Sequence, residues 1–221
     1  MVRKWGLARH KRSNKCKNHK QIYSETTQSE STVDTDSIYE SLIMVFDVEH
    51  TGCKEQLILQ LSWGIYKQDG TLLEMKDYYL EPTDFIYINP RASNAHHITW
   101  ETLLHKPNKL NIEKLLNEFM SDLKKCATLV SHNVKSDLST LNNELQRYNI
   151  NKIDTHTFCT MAQTKTYCNC KDVRNRLKAP RLNELHHKLF DEYYDDTLAH
   201  NSYYDVEMCA KCYFRFVNLG L

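Results

Sequence analysis

The chain has 221 residues, 41% of them hydrophobic and 26% charged, and its 29 basic residues nearly balance its 28 acidic ones. This is ordinary globular composition for one domain with an arm, and it excludes collagen, coiled coils and fully disordered chains. The longest early apolar run, residues 42–46, is far shorter than the roughly 20 residues of a membrane helix. No apolar segment follows the basic start, so we expect an intracellular rather than a secreted protein.

The first forty residues differ in charge from the rest of the chain. Residues 1–24 hold eight basic and no acidic residues, whereas residues 25–40 hold five acidic and no basic residues. Neither block has apolar periodicity, so we expect residues 1–40 to form a disordered arm and residues 41–221 to form the folded domain. The basic block is typical of a nucleic-acid arm, a nuclear import signal or a solvated tail.

Three predicted strands open the domain. Residues 41–47 form a continuous apolar run that ends at Asp47, which is typical of a strand covered on both faces. Residues 58–66 and 75–80 are the next two strands, and the turn residues 68–70 separate them. The three segments together predict an antiparallel meander.

Helices and short strands alternate after the meander. The predicted elements are, in chain order, a helix over 112–123, a strand at 127–130, a helix over 138–148, a brief strand at Ile153, and helices near 157–165, over 181–190 and from about 202 onward. Hairpin-linked strands followed by alternating helices and strands predict an α/β domain with a mixed central sheet.

Two close cysteine pairs raise the possibility of a zinc site. Cys168 with Cys170 and Cys209 with Cys212 could supply four thiolates to a structural zinc ion. The second pair, however, shares an apolar helical face with Val206, which favours buried thiols. The sequence leaves both interpretations open.

Two acidic residues stand at the end of the first predicted strand. Asp47 and Glu49 are two residues apart, so they point to the same face of the strand. Neighbouring carboxylates repel each other unless a cation neutralises them, and Mg²⁺ binds through carboxylates together with substrate phosphates. Such a pair alone is more often solvated than functional.

Two further acids lie at the edges of predicted elements. Asp137 stands just inside a helix after the strand at 127–130, and Asp205 begins the last helix. Strand ends and helix starts meet at the cleft of an α/β sheet, so four acids there could hold two metal ions about 4 Å apart. The unperturbed pKa of histidine, about 6.5, suits His200, five residues before Asp205, to act as a general base.

These motifs resemble those of the DnaQ-like, or DEDDh, family of 3′–5′ exonucleases. Residues 47–52 resemble the motif D-x-E-x-T-G, residues 132–138 the motif H-N-x-x-x-D, and residues 200–205 the motif H-x4-D of the histidine subclass. Residues 94–99 are similar to the H-G-I-T segment of the family, with His97 in the place of its glycine. The resemblance runs from about residue 42 to 217 and implies a ribonuclease H-like mixed five-stranded sheet flanked by helices.

The resemblance implies a catalytic role for each matching residue. Asp47, Glu49 and Asp205 would bind one metal ion, and Asp137 would serve a second ion that Asp47 bridges. His200 would deprotonate the attacking water. The metal ions would be two Mg²⁺, for which Mn²⁺ can substitute.

The resemblance also implies a reaction and a substrate. The reaction would be hydrolysis of phosphodiesters from a 3′ end with release of nucleoside 5′-monophosphates. Thr51, Ile98 and His132 would hold the 3′-terminal nucleotide, with Ile98 packed against its base. Single-stranded or frayed DNA is the favoured substrate, and RNA ends or short oligoribonucleotides are the alternative.

Two other classes of protein remain open. One is an inactive nucleic-acid-binding or polymerase-docking module that keeps the fold, and the other is an adaptor that works through its basic arm. All four acids and the histidine are present, which favours catalysis because crowded acids without a function destabilise a site. The sequence leaves open whether a polymerase or a second copy of the chain is a partner.

Overall fold

The structure is a computed structural model that describes residues 42–192, 194, 197 and 199–220. The predicted arm, residues 1–40, with its proposed import signal, lies outside the described residues. No helix in the described ranges is long and apolar enough to cross a membrane.

Six strands form one mixed sheet. They are β1 (Leu42–His50), β2 (Ile58–Tyr66), β3 (Leu72–Leu80), β4 (Lys109–Leu110), β5 (Cys126–Ser131) and β6 (His156–Cys159). Their order across the sheet is β4-β3-β2-β1-β5-β6. The meander β1–β2–β3 is antiparallel, and β5, β6 and β4 join it in parallel pairs. The predicted α/β, ribonuclease H-like fold is confirmed, and the two-residue edge strand β4 makes six strands of the expected five.

Helices flank both faces of this sheet. Those in the described residues are α1 (Pro90–His96), α2 (Trp100–His105), α3 (Ile112–Leu123), α4 (Val134–Arg147), α5 (Thr160–Gln163), α6 (Lys165–Cys168), α7 (Leu182–Phe190) and α8 (Ser202–Asn218). The predicted bounds of α3 and the predicted start of α8 are confirmed. Both have strong apolar periodicity, the signal on which such predictions depend.

The prediction of a strand at Ile153 is wrong. The sixth strand is β6, which pairs in parallel with β5 from the Thr128–His156 pair onward. Residues 157–159 therefore belong to a strand, although their local pattern predicts a helix. Ile153 packs against the main hydrophobic cluster instead, and its backbone N–H donates to Asn142 Oδ1 at 2.9 Å.

The central strand β1 is buried on both faces. Phe46 lies in the cluster that includes Phe119 of α3, whereas Val45 lies in the cluster formed with α7 and α8. Side chains alternate along a strand, so Asp47 and Glu49 share the face of Val45. Helix α8 therefore packs over the face of β1 that carries the two acids.

Three of the four paired cysteines, Cys168, Cys209 and Cys212, belong to or pack against the hydrophobic cluster on the α8 side of the sheet. Cys209 and Cys212 are buried, and Cys168 and Cys170 are half-buried. Burial raises the pKa of the Cys212 thiol to about 12, which opposes formation of a thiolate. Among the described residues, no cysteine belongs to a group of three or more side chains within metal-binding distance of one another.

Candidate active site

Strand β1 carries two of the predicted acids to the edge of the sheet. Asp47 pairs with Ser62 of β2, and Glu49 pairs with Gln60. Both carboxylates are half-buried, because the apolar part of β1 ends just before them. Asp47 and Glu49 thus stand where the carboxyl ends of parallel strands open into a cleft.

The start of α8 positions the two residues of the H-x4-D motif, His200 and Asp205. Asn201 caps the helix, and its side chain accepts a hydrogen bond from the backbone N–H of Tyr203 at 3.1 Å. His200 has a left-handed backbone with φ of 61°, which turns the chain into the helix. The backbone N–H of His200 donates to Asp205 Oδ2 at 3.1 Å, so the same turn fixes both residues at one end of α8.

These two elements bring three potential metal ligands together. One side-chain ligand atom from each of Glu49, His200 and Asp205 lies within 4.8 Å of the other two. Carboxylate oxygens with one imidazole form a donor set that fits a divalent cation. This is the one such cluster among the described residues.

Asp137 reaches the site from the opposite side of β1. It lies in the first turn of α4, directly after β5, and Asn133 makes the turn between them with φ of 93°. The Ser131 hydroxyl, at the end of β5, donates a hydrogen bond to Asp137 Oδ2. This hydrogen bond therefore holds the Asp137 side chain in place. The residue is only 8% exposed.

Burial raises the pKa values of all four carboxyl groups, and neighbouring acids add to the shift in Asp47, Glu49 and Asp137. Burial, followed by the charges of Asp137, Glu49 and Asp205, raises the pKa of Asp47 well above its usual range. Burial and the neighbouring acids raise the pKa of Glu49 to about 9. Burial also raises the pKa of Asp137 to about 7 and that of Asp205 to about 6, even though His200 opposes the shift of Asp205.

No lysine or arginine in the described ranges forms an ion pair with any of these four acids. Carboxylates this close favour being protonated unless a cation compensates for them. The donor atoms and the uncompensated charge both fit divalent metal ions.

Three of the acids line a cleft large enough for a nucleotide. Its volume is about 730 Å³, within the roughly 300–1,000 Å³ of ligand-binding clefts. Asp47, Glu49, His200 and Asp205 are part of its lining. The segment 179–183, which leads into α7, also lines it.

A comparison with family models identifies the chain. The model described as Exonuclease, of the RNase T type, matches residues 44–213. This range contains all four acids and His200. The chain belongs to the exonuclease family. The DnaQ-like resemblance of the sequence is therefore confirmed.

Solved structures of E. coli exonuclease I share the fold of this exonuclease domain. The complex of that enzyme with a dA16 oligonucleotide matches with a TM-score of 0.67 at 15% identity, over 80% of this chain and 41% of that chain. Its zinc-bound form with single-stranded DNA matches with a TM-score of 0.66 at 16% identity, over the same shares of the two chains. The chain thus spans about two fifths of the length of exonuclease I. No curated protein matches it in sequence.

Two of the residues expected to hold the terminal nucleotide are buried and are not among the residues that line the cleft of this exonuclease domain. Thr51 is 1% exposed, and its hydroxyl accepts from the backbone N–H of Leu57 at 3.1 Å. Ile98 is also 1% exposed and packs in a cluster with Leu59 and Leu103. Both side chains therefore stabilise the segments to which they belong, Thr51 through a hydrogen bond and Ile98 through packing.

His132 does line the cleft, but both of its ring nitrogens already have partners. Nδ1 lies 2.8 Å from the Thr160 hydroxyl, and Nε2 lies 3.1 Å from the carbonyl oxygen of Pro180. Burial lowers the pKa of His132 to about 4, so the ring is neutral at pH 7. His132 therefore joins segment 179–183 to the end of β5.

Sequence reasoning missed the groups that hold the acids in place. Ser131 carries no motif of its own, and only its contact with Asp137 reveals its role. A second set of side-chain hydrogen bonds links β3 to α8. Asp77 Oδ1 accepts from the Ser62 hydroxyl at 2.7 Å, and that hydroxyl lies 2.5 Å from the Ser202 hydroxyl. These contacts join distant parts of the chain, so no local pattern predicts them.

Proposed function

We propose that this exonuclease domain removes nucleotides one at a time from the 3′ end of single-stranded or frayed DNA and releases nucleoside 5′-monophosphates. One observation carries the proposal: Asp47, Glu49, Asp205 and His200 line one cleft, and the charge of Asp137 acts on Asp47 and Glu49. None of the four acids forms an ion pair with a described lysine or arginine. A site of this charge requires cations to accept a polyanionic substrate.

Two divalent ions, Mg²⁺ or Mn²⁺, fit the proposal. Asp47, Glu49 and Asp205 are the proposed ligands of one ion, and Asp137 with Asp47 those of the other. When bound, such ions stabilise the negative charge that develops on a phosphodiester undergoing displacement and lower the pKa of water.

His200 is the proposed general base. The residue is exposed and lines the cleft, and its backbone is tied to Asp205. In this position the imidazole can accept a proton from a water molecule that attacks the terminal phosphodiester. Asn201, the next residue, begins the capped turn that fixes this position.

DNA is the proposed substrate rather than RNA. E. coli exonuclease I, which shares the fold, has been solved with DNA oligonucleotides, and this supports DNA as the substrate. The alternative is a 3′–5′ exoribonuclease. Discrimination would depend on contacts to the 2′-OH.

A labelled-strand assay tests the reaction and its direction. A 20-nucleotide strand with a 5′ label should shorten in a ladder with Mg²⁺ or Mn²⁺, whereas a 3′ label should be released at once as a mononucleotide. A closed single-stranded circle should stay intact. An Asp205→Asn variant should leave the linear strand uncut, and a wild-type protein inert in both metals would contradict the proposal.

A matched RNA strand of the same sequence decides between the two substrates. Faster hydrolysis of the RNA would favour the exoribonuclease alternative. Binding of either strand without hydrolysis would favour an inactive nucleic-acid-binding module. The same assays on residues 41–221 test the proposal that this segment forms the folded exonuclease domain.

A further inference from the structure

A basic hairpin lies next to the cleft. Residues 171–181 contain five basic residues and one acidic residue. Lys171 and Leu177 form an antiparallel bridge. The backbone N–H of Lys178 donates to the carbonyl of Cys170 at 2.9 Å, and Asn175 takes the left-handed conformation needed for the turn.

Asp172 gives this hairpin a fixed shape. Its Oδ1 accepts from the backbone N–H groups of Arg174 and Arg176 at 2.8 and 2.9 Å. Its Oδ2 pairs with the Arg176 guanidinium at 2.7 Å. The one acidic residue of the segment thus stabilises the turn and neutralises one of the five cations.

The base of the hairpin is part of the site. Ala179, Pro180 and Arg181 line the same cleft as Asp47, Glu49 and Asp205. The Pro180 carbonyl oxygen lies 3.1 Å from His132 Nε2, so the hairpin is joined to the end of β5. The hairpin therefore adjoins the cleft through residues 179–181.

Three cations of the hairpin are available to a ligand. Lys178 pairs with Glu184 at 2.5 Å, as Arg176 does with Asp172. Lys171, Arg174 and Arg181 are exposed, and none of them forms an ion pair with another residue of the part of the chain that is described. The whole chain carries a net charge of only +1, so this local excess is not a consequence of a generally basic surface.

We propose that the hairpin Lys171–Arg181 binds phosphates of the substrate strand on the 5′ side of the terminal nucleotide. This inference rests on the proposed exonuclease function. The acids repel a polyanionic strand everywhere except where cations compensate, so the strand needs positive charge as it leaves the site. Lys171 and Arg174 supply that charge along the hairpin, and Arg181 supplies it at the mouth of the cleft.

Substrate length gives a specific test, because a dinucleotide has no phosphates beyond the site. The test variant is Lys171→Gln with Arg174→Gln, which leaves the cleft lining intact. The ratio of KM for a 20-nucleotide strand to KM for a dinucleotide should rise about tenfold, and the salt dependence of binding should weaken by about 1.4 in log–log slope for two lost contacts. Lys171→Arg with Arg174→Lys should keep wild-type values.

A matched control removes two positive charges near the N-terminal ends of β5 and β6, whereas the cleft lies at the C-terminal ends of β1 and β5. Lys124 and Lys152 are exposed, precede β5 and β6, and form no ion pair with another described residue. Lys124→Gln with Lys152→Gln should match wild type. The proposal is overturned if the hairpin variant keeps the wild-type KM ratio and salt slope, or if the control changes them equally.

The experiment distinguishes failure of the hairpin proposal from failure of the exonuclease proposal. Binding of the 20-nucleotide strand in EDTA, followed by fluorescence anisotropy, does not require hydrolysis. Weaker binding by the hairpin variant than by the control supports the hairpin even if wild type hydrolyses nothing. Equal binding by both variants overturns it even if wild type is an active exonuclease.

Discussion

The Ser131 hydroxyl donates a hydrogen bond to the Asp137 carboxylate, across the turn from β5 to α4. Both residues are buried, and the hydrogen bond is the one interaction that lowers the pKa of Asp137 against the effects of burial and Asp205. It therefore favours the charged, ligand-competent form of the acid and fixes its direction. Partners of this kind commonly change metal affinity or activity by 10- to 100-fold, about 1–3 kcal/mol.

Ser131→Ala should weaken the apparent affinity of the site for Mg²⁺. We expect the Mg²⁺ concentration for half-maximal rate to rise about tenfold or more, because Asp137 loses the donor that favours its charged form. Titration of initial rates with Mg²⁺ measures the effect. Ser139→Ala, an exposed serine of the same helix, is the control, and an unchanged Mg²⁺ curve for Ser131→Ala would contradict the role assigned to Ser131.

Removing one of the clustered acids should stabilise the metal-free protein. Asp205→Asn relieves repulsion with Glu49 and Asp137 and still offers an oxygen to the His200 N–H. In EDTA its Tm should exceed that of wild type by about 2–4 °C, the shift that about 1 kcal/mol produces in a domain of this size.

Mg²⁺ should reverse the order of these two proteins. The cation binds the folded wild type and raises its Tm, whereas the variant has lost a ligand and gains less. Differential scanning fluorimetry with and without Mg²⁺ measures both shifts. Asp154→Asn, an exposed acid outside the site, should leave Tm unchanged; a lower Tm for Asp205→Asn in EDTA would argue against repulsion in this cluster.

The link from Asp77 through Ser62 to Ser202 should position His200. It connects β3 to the first residue of α8, two positions after His200, and all its members are within 2.7 Å of the next. Ser202→Ala should lower kcat about tenfold with little change in KM, because the turn that carries His200 loses its hydrogen bond to Ser62.

A double-mutant cycle tests whether this link acts as a unit. If Asp77→Asn and Ser202→Ala act through the same contact, the double variant should be little worse than either single variant. Glu81→Ala, an exposed acid directly after β3, should match wild type. Additive losses, or losses confined to KM, would show that Asp77 and Ser202 do not orient His200 together.

The sequence predicts the parts of this molecule that depend on local pattern. β1 and α3 have continuous or periodic apolar residues, and Asp47 and Glu49 follow from strand alternation. β6 was misplaced because its local pattern is helical and only the parallel pairing with β5 makes it a strand. Burial of Ile98 likewise depends on distant residues such as Leu59, which no motif encodes.

The left-handed residue His97 gives a prediction about stability rather than chemistry. It ends α1 with φ of 57°. In the H-G-I-T segment of the DnaQ-like exonucleases, glycine takes this position. A side chain in this conformation costs about 1–2 kcal/mol, and a glycine costs about 0.5–1 kcal/mol in unfolded-state entropy.

His97→Gly should therefore raise the free energy of unfolding by about 0.5 kcal/mol, whereas His97→Val should lower it because β-branched side chains tolerate positive φ least. Urea denaturation of both variants measures the two changes. The side chain is exposed, so lost packing cannot account for opposite signs. Equal destabilisation by glycine and valine would mean that the His97 side chain, not its backbone, stabilises the end of α1.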